Sequence, residues 1–263
     1  MDSVSEELRR STTPETLLSA EVPEAVRPRP PCAAGRCQEP ALGSEFGAGG
    51  KMSGACPEDL VRAARAAGVR DERLLGAIRA IPRAGFVPAW QEGIAYQDTP
   101  VPIPHGLVTT QPSLSAAMIE GLALIGDEHV LEVGTGLGFQ TALLARLAAD
   151  VVSIELWSDL AAQARQNLDR QGVTNVELFV GDGSEGVPGR APYDAVLVSA
   201  AHPDVPPPLV EQLRPGGRLV QPIRPGGRED VVAFRRTAAG LERERVLIAA
   251  RFVRLHGEYG FPP

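Results

Sequence analysis

The stretch from His129 to Thr141, His-Val-Leu-Glu-Val-Gly-Thr-Gly-Leu-Gly-Phe-Gln-Thr, constrains the fold of this chain more than any other. Val130, Leu131 and Val133 make the apolar run of a buried strand. Gly134, Gly136 and Gly138 follow at once, and Phe139 opens a helix. Glycine lets the backbone turn sharply and approach a ligand closely, and the amides of the helix start then point at that ligand. The spacing is not that of the dinucleotide fingerprint, whose third glycine falls one place later. A glycine turn also serves plain chain reversal in many α/β proteins, so its surroundings decide its meaning.

Those surroundings alternate helix and strand from about residue 113 onward. Helical spacing marks 113–124, 139–148, 158–171 and 206–213, and short apolar runs mark strands at 129–133, 151–155, 176–180, 193–199 and 217–222. Gly216-Gly217 breaks the last helix before its strand. Residues 230–236 and 245–254 read as an antiparallel hairpin around Ala238-Ala239-Gly240. Repeated βα units predict an α/β, Rossmann-like fold: a mostly parallel seven-stranded sheet with helices on both faces. Ligands bind such sheets at the carboxyl ends of strands, where the glycine turn lies. Upstream, Pro57-Glu58-Asp59-Leu60 opens a helix carrying Val61, Ala64 and Ala67. Asp71 caps a second helix carrying Leu74, Leu75, Ile78 and Ile81, which Pro82 ends.

Length and a hydrophobic content of 43% suit one large domain with a tail. Residues 1–52 are rich in Pro, Gly, Ser and Ala without a sustained period, so a disordered tail is expected there and a folded domain over 53–263. Met52 is an alternative start to Met1. A net charge of −7 offers no basic footprint for nucleic acid or an anionic membrane. No apolar run spans a bilayer and the N-terminus lacks a signal-peptide core, so a cytoplasmic protein is expected. Cys32, Cys37 and Cys56 cannot all pair, and Cys32-x4-Cys37 lacks a second ligand pair; thiols in a reducing compartment and no metal site are expected.

Two further strand ends carry acids. Glu155 follows Val151–Ile154 and lies 21 residues after Gly134, where a carboxylate accepts both hydroxyls of a ribose. Asp182-Gly183 follows the third strand; Asp182 suits an adenine amino group and Gly183 leaves room for the ring. Each has a plainer reading, a solvated strand-end acid and a favoured Asp-Gly turn. Together with Glu132, two residues before the first glycine, they suggest S-adenosylmethionine rather than NAD.

More particular matches flank this core: Ile81-Pro-Arg83 with Phe86-Val-Pro88, Ala95-Tyr96 before Pro102-Ile103, Gly106, and Gln111-Pro112. Gly181-Asp-Gly183, Ala191-Pro-Tyr-Asp194, Ser199-Ala-Ala201 and Gln212-Leu-Arg-Pro-Gly-Gly-Arg218 continue them. From about Pro57 to Val253 the chain thereby resembles the protein-L-isoaspartate (D-aspartate) O-methyltransferase family. The resemblance implies a methyltransferase fold that moves a methyl group from S-adenosylmethionine to the free carboxylate of isoaspartyl residues. Its partners are then damaged, isoaspartyl-containing proteins and peptides, met by a monomer. It implies Thr110 as the catalytic hydroxyl donor. It implies a cofactor set of Thr109, Gln111, Ser113, Glu132, Gly134, Thr135, Gly136, Gln140, Glu155, Leu156, Asp182 and Gly183. Val108, Ser199, Ala200, Ala201 and His202 are the implied substrate contacts.

The chemistry suits so sparse a residue set. A carboxylate is already ionised at neutral pH, so no general base is needed. Rate enhancement then comes from in-line positioning in a dry site. The family's loop reads Gly-Gln-Thr-Ile-Ser-Gln-Pro, whereas this chain reads Gly106-Leu107-Val108-Thr109-Thr110-Gln111-Pro112. Thr110 stands in the serine position; its hydroxyl can still donate, but its methyl stiffens χ1 and crowds the pocket. The altered loop motivates two alternatives: a relative that methylates normal aspartate in a dedicated ribosomally made peptide to form an aspartimide, and a non-catalytic cofactor-binding protein. His105, His256, Trp90 and Trp157 are expected to be structural, and His129 to start the first strand.

Overall fold

The computed structural model describes residues 55–224 and 229–262. The expected tail at 1–52, with Cys32 and Cys37, lies outside the described residues. Helix α1 (Pro57–Ala66) begins with proline in its first turn, where a missing N–H leaves nothing unpaired, and Asp59 accepts from the Cys56 amide at 2.7 Å. Helix α2 (Glu72–Ala80) is capped by Asp71, which accepts from the Arg73 amide at 2.8 Å. Leu60, Val61, Leu74, Leu75 and Ile78 are buried in one cluster with α3 (Pro112–Gly121).

The sheet has seven strands in the order β3-β2-β1-β4-β5-β6-β7. Strands β1 (His129–Val133), β2 (Asp150–Glu155), β3 (Val176–Val180), β4 (Tyr193–Val198) and β5 (Leu213–Ile223) are parallel. Strands β6 (Asp230–Thr237) and β7 (Gly240–Ala249) add on antiparallel. Helices α4 (Phe139–Ala145), α5 (Ser158–Arg170) and α6 (Pro207–Gln212) make the crossovers. Neighbouring residues of a strand face opposite sides. Val130, Val151, Ala195 and Leu197 enter the layer that holds α1 to α4. Leu131, Val133, Val152, Ile154, Val196 and Val198 enter the layer that holds Leu209 of α6. Burial on both faces explains why these strands read as unbroken apolar runs.

Two boundaries differ from expectation. Strand β5 begins at Leu213, not 217, because Leu213 already pairs with Tyr193; a bulge containing Gly216, at φ +84°, separates that pair from Arg218 with Ala195. Strand β7 begins at Gly240, not 245, and residues 250–254 leave the sheet. The segment Leu241-Glu242-Arg243-Glu244-Arg245 is charged because β7 is an edge strand, and charge on an edge discourages pairing with other chains. Register shifts between Val231 and Val232 and between Ala233 and Phe234 also obscure its period.

Between α2 and α3 the chain has little regular structure and is organised by Arg83, which is 1% exposed. Its guanidinium donates to the carbonyls of Ala95 at 2.7 Å, Gln97 at 3.1 Å and Thr99 at 3.0 Å, and to the Thr109 hydroxyl at 3.3 Å. Burial lowers its pKa to about 10, with Asp98 opposing, so it stays charged at neutral pH. Arg83 therefore ties the 95–99 loop to the loop that carries Thr110. Arg83→Met keeps the stem but removes the donors to the carbonyls of Ala95, which is buried, and of Gln97 and Thr99. It is expected to destabilise the fold by about 1–3 kcal/mol, the cost of leaving a buried acceptor unsatisfied, read as a lower urea midpoint; an unchanged midpoint would contradict this strut.

Candidate functional site

A cleft crosses the carboxyl ends of β1 to β4. Its floor is the glycine turn with Gln140, then Glu155-Leu156-Trp157, Gly183, and Ser199-Ala200. Its other wall is Leu107 to Thr110 with the C-terminal residues Val253 to His256. Gly134, Gly136 and Gly138 have φ of +92°, +55° and +92°, a region that side chains disfavour. A Cβ on Gly183 would stand 2.4 Å from Val133 Cγ1, so the third strand end also requires glycine.

Beneath the turn lies Glu132, which is 0% exposed and does not line the cleft. Its Oε2 accepts from the hydroxyls of Thr141 at 2.6 Å and Ser153 at 2.7 Å, and its Oε1 accepts from Gln140 Nε2 at 3.0 Å. Since Ser153 gives its proton to Glu132, the Thr135 hydroxyl donates to Ser153 at 2.6 Å. The expected cofactor ligand Glu132 is thus a strut that fixes the turn from below. Burial pushes its carboxyl up to about 7 against these three hydrogen bonds, and the charge of Glu155 adds to the rise.

Glu155 is buried and lines the cleft; Oε2 accepts from the Gly136 amide at 2.8 Å and Oε1 from the Trp157 amide at 3.1 Å. A carboxylate has about four acceptor positions, so capacity remains for a ligand. Leu156 is exposed beside it. Asp182 is placed differently from expectation. Its Oδ1 takes the Ser184 amide at 2.8 Å and hydroxyl at 2.6 Å, and its Oδ2 takes the Glu258 amide at 2.6 Å. Gly183 lines the cleft; Asp182 instead anchors the C-terminal segment.

A second groove adjoins the cleft. The two share Val108, Thr109, Thr110, Ser199 and Val253. Thr109 is fixed: its amide donates to Val101 at 2.8 Å and its hydroxyl accepts from the Val101 amide at 3.0 Å. Gln111 and Ser113 line the groove, not the cleft, held by Asp98 through Gln111 Nε2 and the Ser113 amide, each at 2.8 Å. Thr110 faces both cavities, and among the described residues its hydroxyl has no hydrogen-bond partner. Ala201 and His202 line neither cavity. Ala201 exchanges backbone hydrogen bonds with Val253 and Leu255, and His202 packs edge-on against Phe261 at 5.1 Å.

Three parts of the site have no sequence signal of their own. Asp98 reaches Ser113 across 15 residues of irregular chain. Trp157, expected to be packing, lines the cleft and stacks on His105 at 3.8 Å, while His105 Nε2 meets Asp159 at 2.9 Å. The turn that brings His256 to the cleft is closed by backbone bonds, with the Phe261 amide donating to Leu255 and the Gly257 amide donating to Phe261.

Residues 55–260 match the profile of the protein-L-isoaspartate(D-aspartate) O-methyltransferase family, PCMT. A protein-L-isoaspartate O-methyltransferase of Methanoculleus marisnigri is 48% identical over 197 residues, 75% of this chain and 89% of its own length. One from Anaeromyxobacter dehalogenans strain 2CP-C is 50% identical over 190 residues, 72% and 91% of the two chains. A solved protein-L-isoaspartate O-methyltransferase superposes with a TM-score of 0.68 at 29% identity, covering 78% of this chain and 67% of that one. A putative enzyme of that name from Plasmodium falciparum, in complex with S-adenosyl-L-homocysteine, shares the fold with a TM-score of 0.66 at 20% identity, over 77% and 98% of the chains.

The raised Glu132 pKa has a sign that can be measured. Unfolded, the group ionises near 4.5; folded, it holds its proton up to about 7. Between those values the folded chain binds more protons, so the Glu132 contribution to stability is largest at low pH and is lost as pH rises to about 7. Glu132→Gln cannot titrate there. Urea unfolding of both proteins at several pH values should show wild type losing ground to the variant through this window. A parallel pH dependence would contradict the assignment.

Proposed function

The chain belongs to the protein-L-isoaspartate(D-aspartate) O-methyltransferase family, and we propose that Thr110 holds the isoaspartyl carboxylate for methylation where cleft and groove meet. The protein is an S-adenosylmethionine-dependent carboxyl O-methyltransferase acting on isoaspartyl residues. The observation that carries the role of Thr110 is its hydroxyl, unpartnered among the described residues, on the wall common to both cavities.

The cleft fits the cofactor by its own chemistry. Three glycines with positive φ and Gly183 leave backbone open at adjacent strand ends. Gln140 Oε1 is buried with no partner among the described residues, an acceptor that needs an N–H. Glu155 would take the ribose hydroxyls, Gly134, Thr135 and Gly136 would approach the amino-acid end with Gln140, and Leu156 and Gly183 would flank the adenine. When bound, the cofactor supplies an electrophilic sulfonium methyl. The chain's part is to orient the carboxylate and exclude water. Ile103, Leu137 and Leu160 are buried as one cluster with Leu107 packed on it, which keeps the wall beside Thr110 dry. The carboxylate arrives ionised, so no residue has to remove a proton.

Gln111 and Ser113, with Asp98, shape the groove that receives the peptide. Thr109 carries no cofactor contact on this reading; it braces Thr110 through Val101 and Arg83. Val108 and Ala200 border the substrate, and Asp182 holds the C-terminal wall in place. The same proposal takes residues 53–263 as the catalytic domain, working as a cytoplasmic monomer on flexible segments of damaged proteins. Among the described residues no helix is long and apolar enough to cross a membrane.

The test is methyl transfer from labelled S-adenosylmethionine to three matched peptides bearing L-isoaspartyl, L-aspartyl or D-aspartyl at one position. Base-labile label mainly on the isoaspartyl peptide is expected. Thr110→Ala should lower kcat/KM for that peptide about 10- to 100-fold, the worth of a hydrogen bond to a charged group, with S-adenosylhomocysteine affinity unchanged. Thr110→Ser should keep activity. Preference for the L-aspartyl peptide would favour a dedicated peptide partner, and full activity in Thr110→Ala would remove Thr110 from the site.

A further inference from the structure

Ser199 occupies the wall shared by the cofactor cleft and the peptide groove. The carboxyl ends of two strands fix it: its amide donates to Val133 at 2.9 Å, and its Cβ lies 3.4 Å from where a Cβ on Gly134 would stand. Thr110 belongs to the same shared wall.

Hydrogen-bond arithmetic sets the direction of the Ser199 proton. A hydroxyl has one hydrogen and two lone pairs, and an ionised carboxylate only accepts. Both oxygens of Glu132 are engaged, Oε2 by the Thr141 and Ser153 hydroxyls and Oε1 by Gln140 Nε2 at 3.0 Å. Once ionised, above about pH 7, the carboxylate therefore forces Gln140 to present its NH2 rather than its oxygen. That same NH2 donates to Ser199 Oγ at 2.7 Å. Ser199 Oγ is thus an acceptor on the protein side. Its own O–H has to point elsewhere, and among the described residues nothing takes it. The cavity side is what remains.

We propose that Ser199 is a second hydroxyl donor to the isoaspartyl carboxylate, aimed by the buried pair Glu132 and Gln140. The inference rests on the reading of Thr110 given above. Ser199 is a catalytic residue in this sense, while Glu132 and Gln140 are positioning residues that act through it. One hydrogen bond leaves a carboxylate free to swivel; donors from Thr110 and Ser199 fix its plane. During transfer a carboxylate oxygen forms the new bond to the methyl carbon, the carbon–sulfur bond breaks with its pair left on sulfur, and the Ser199 proton stays on its oxygen.

The relay also predicts what Glu132→Gln does. The introduced amide keeps an oxygen toward Thr141 and Ser153 and turns an NH2 toward Gln140. Gln140 must then present its oxygen, which accepts the Ser199 O–H and withdraws it from substrate.

The experiment measures kcat and KM for the isoaspartyl peptide at saturating S-adenosylmethionine, and S-adenosylhomocysteine binding by calorimetry, in the full chain and well above the pH of about 7 at which Glu132 ionises. Ser199→Ala should lower kcat/KM about 10-fold or more while S-adenosylhomocysteine affinity stays within about twofold. Ser199→Thr, which keeps the hydroxyl, should recover most of the loss. Glu132→Gln should lose kcat/KM by a factor similar to Ser199→Ala, and the double variant should be no worse than the worse single one. Unchanged kcat/KM in Ser199→Ala, no recovery in Ser199→Thr, or multiplying losses in the double variant would overturn the proposal. Should Glu132→Gln fail to fold, the two Ser199 variants decide alone. An inactive wild type would instead overturn the reading of Thr110 and the isoaspartyl substrate.

Discussion

A carboxylate out of reach of water governs this site. Removing such a charge from solvent costs several kcal/mol unless hydrogen bonds surround it. Glu132 answers that demand with three donors from two elements, Ser153 on β2 and Gln140 and Thr141 at the start of α4, though burial still pushes its carboxyl up to about 7. Thr135 in the glycine turn joins through Ser153, and Ser199 after β4 joins through Gln140. Satisfying one charge thereby sets the turn, the first helix after it and the end of β4. The cleft above inherits its shape from that arrangement.

The other half of the site is a loop held from behind. Arg83 and Val101 fix Thr109, Asp98 fixes Gln111 and Ser113, and Thr110 between them is left, among the described residues, with its hydroxyl unengaged. A bonded frame behind an available hydroxyl is what positioning catalysis needs. The nucleophile comes already charged on the substrate, and the electrophile comes with the cofactor. An acid–base residue would add nothing, and the enzyme is accordingly a matter of placement and dryness. The C-terminal residues Val253 to His256 complete the enclosure from the far end of the chain.

Much of this was legible before the fold because its signals are local. The Gly134, Gly136 and Gly138 spacing, the acid at Glu155 and the apolar runs of β1, β2 and β4 each depend on neighbours a few residues away. Membership of the family was readable from the segments between Ile81 and Arg218. The parts that escaped depend on partners far along the chain. Glu132 looked like a ligand because its position beside the turn is visible in sequence, whereas its enclosure by Ser153 is not. Asp182 looked free for a ligand because its strand-end position is visible in sequence, whereas its bond to the Glu258 amide, 76 residues on, is not. His202 followed a cofactor-facing strand end, but the backbone pairing of Ala201 with the C-terminal segment turns it toward Phe261. The start of β7 was hidden because an edge strand carries charge where a core strand carries valine.

A crystal structure of the enzyme with S-adenosylhomocysteine and an isoaspartyl peptide tests this site most directly. The isoaspartyl carboxylate should lie within hydrogen-bonding reach of both the Thr110 and Ser199 hydroxyls, with Glu155 on the ribose and Glu132 still enclosed beneath the turn. A carboxylate bound away from both hydroxyls, or a Glu132 swung into the cleft to meet the cofactor, would contradict it.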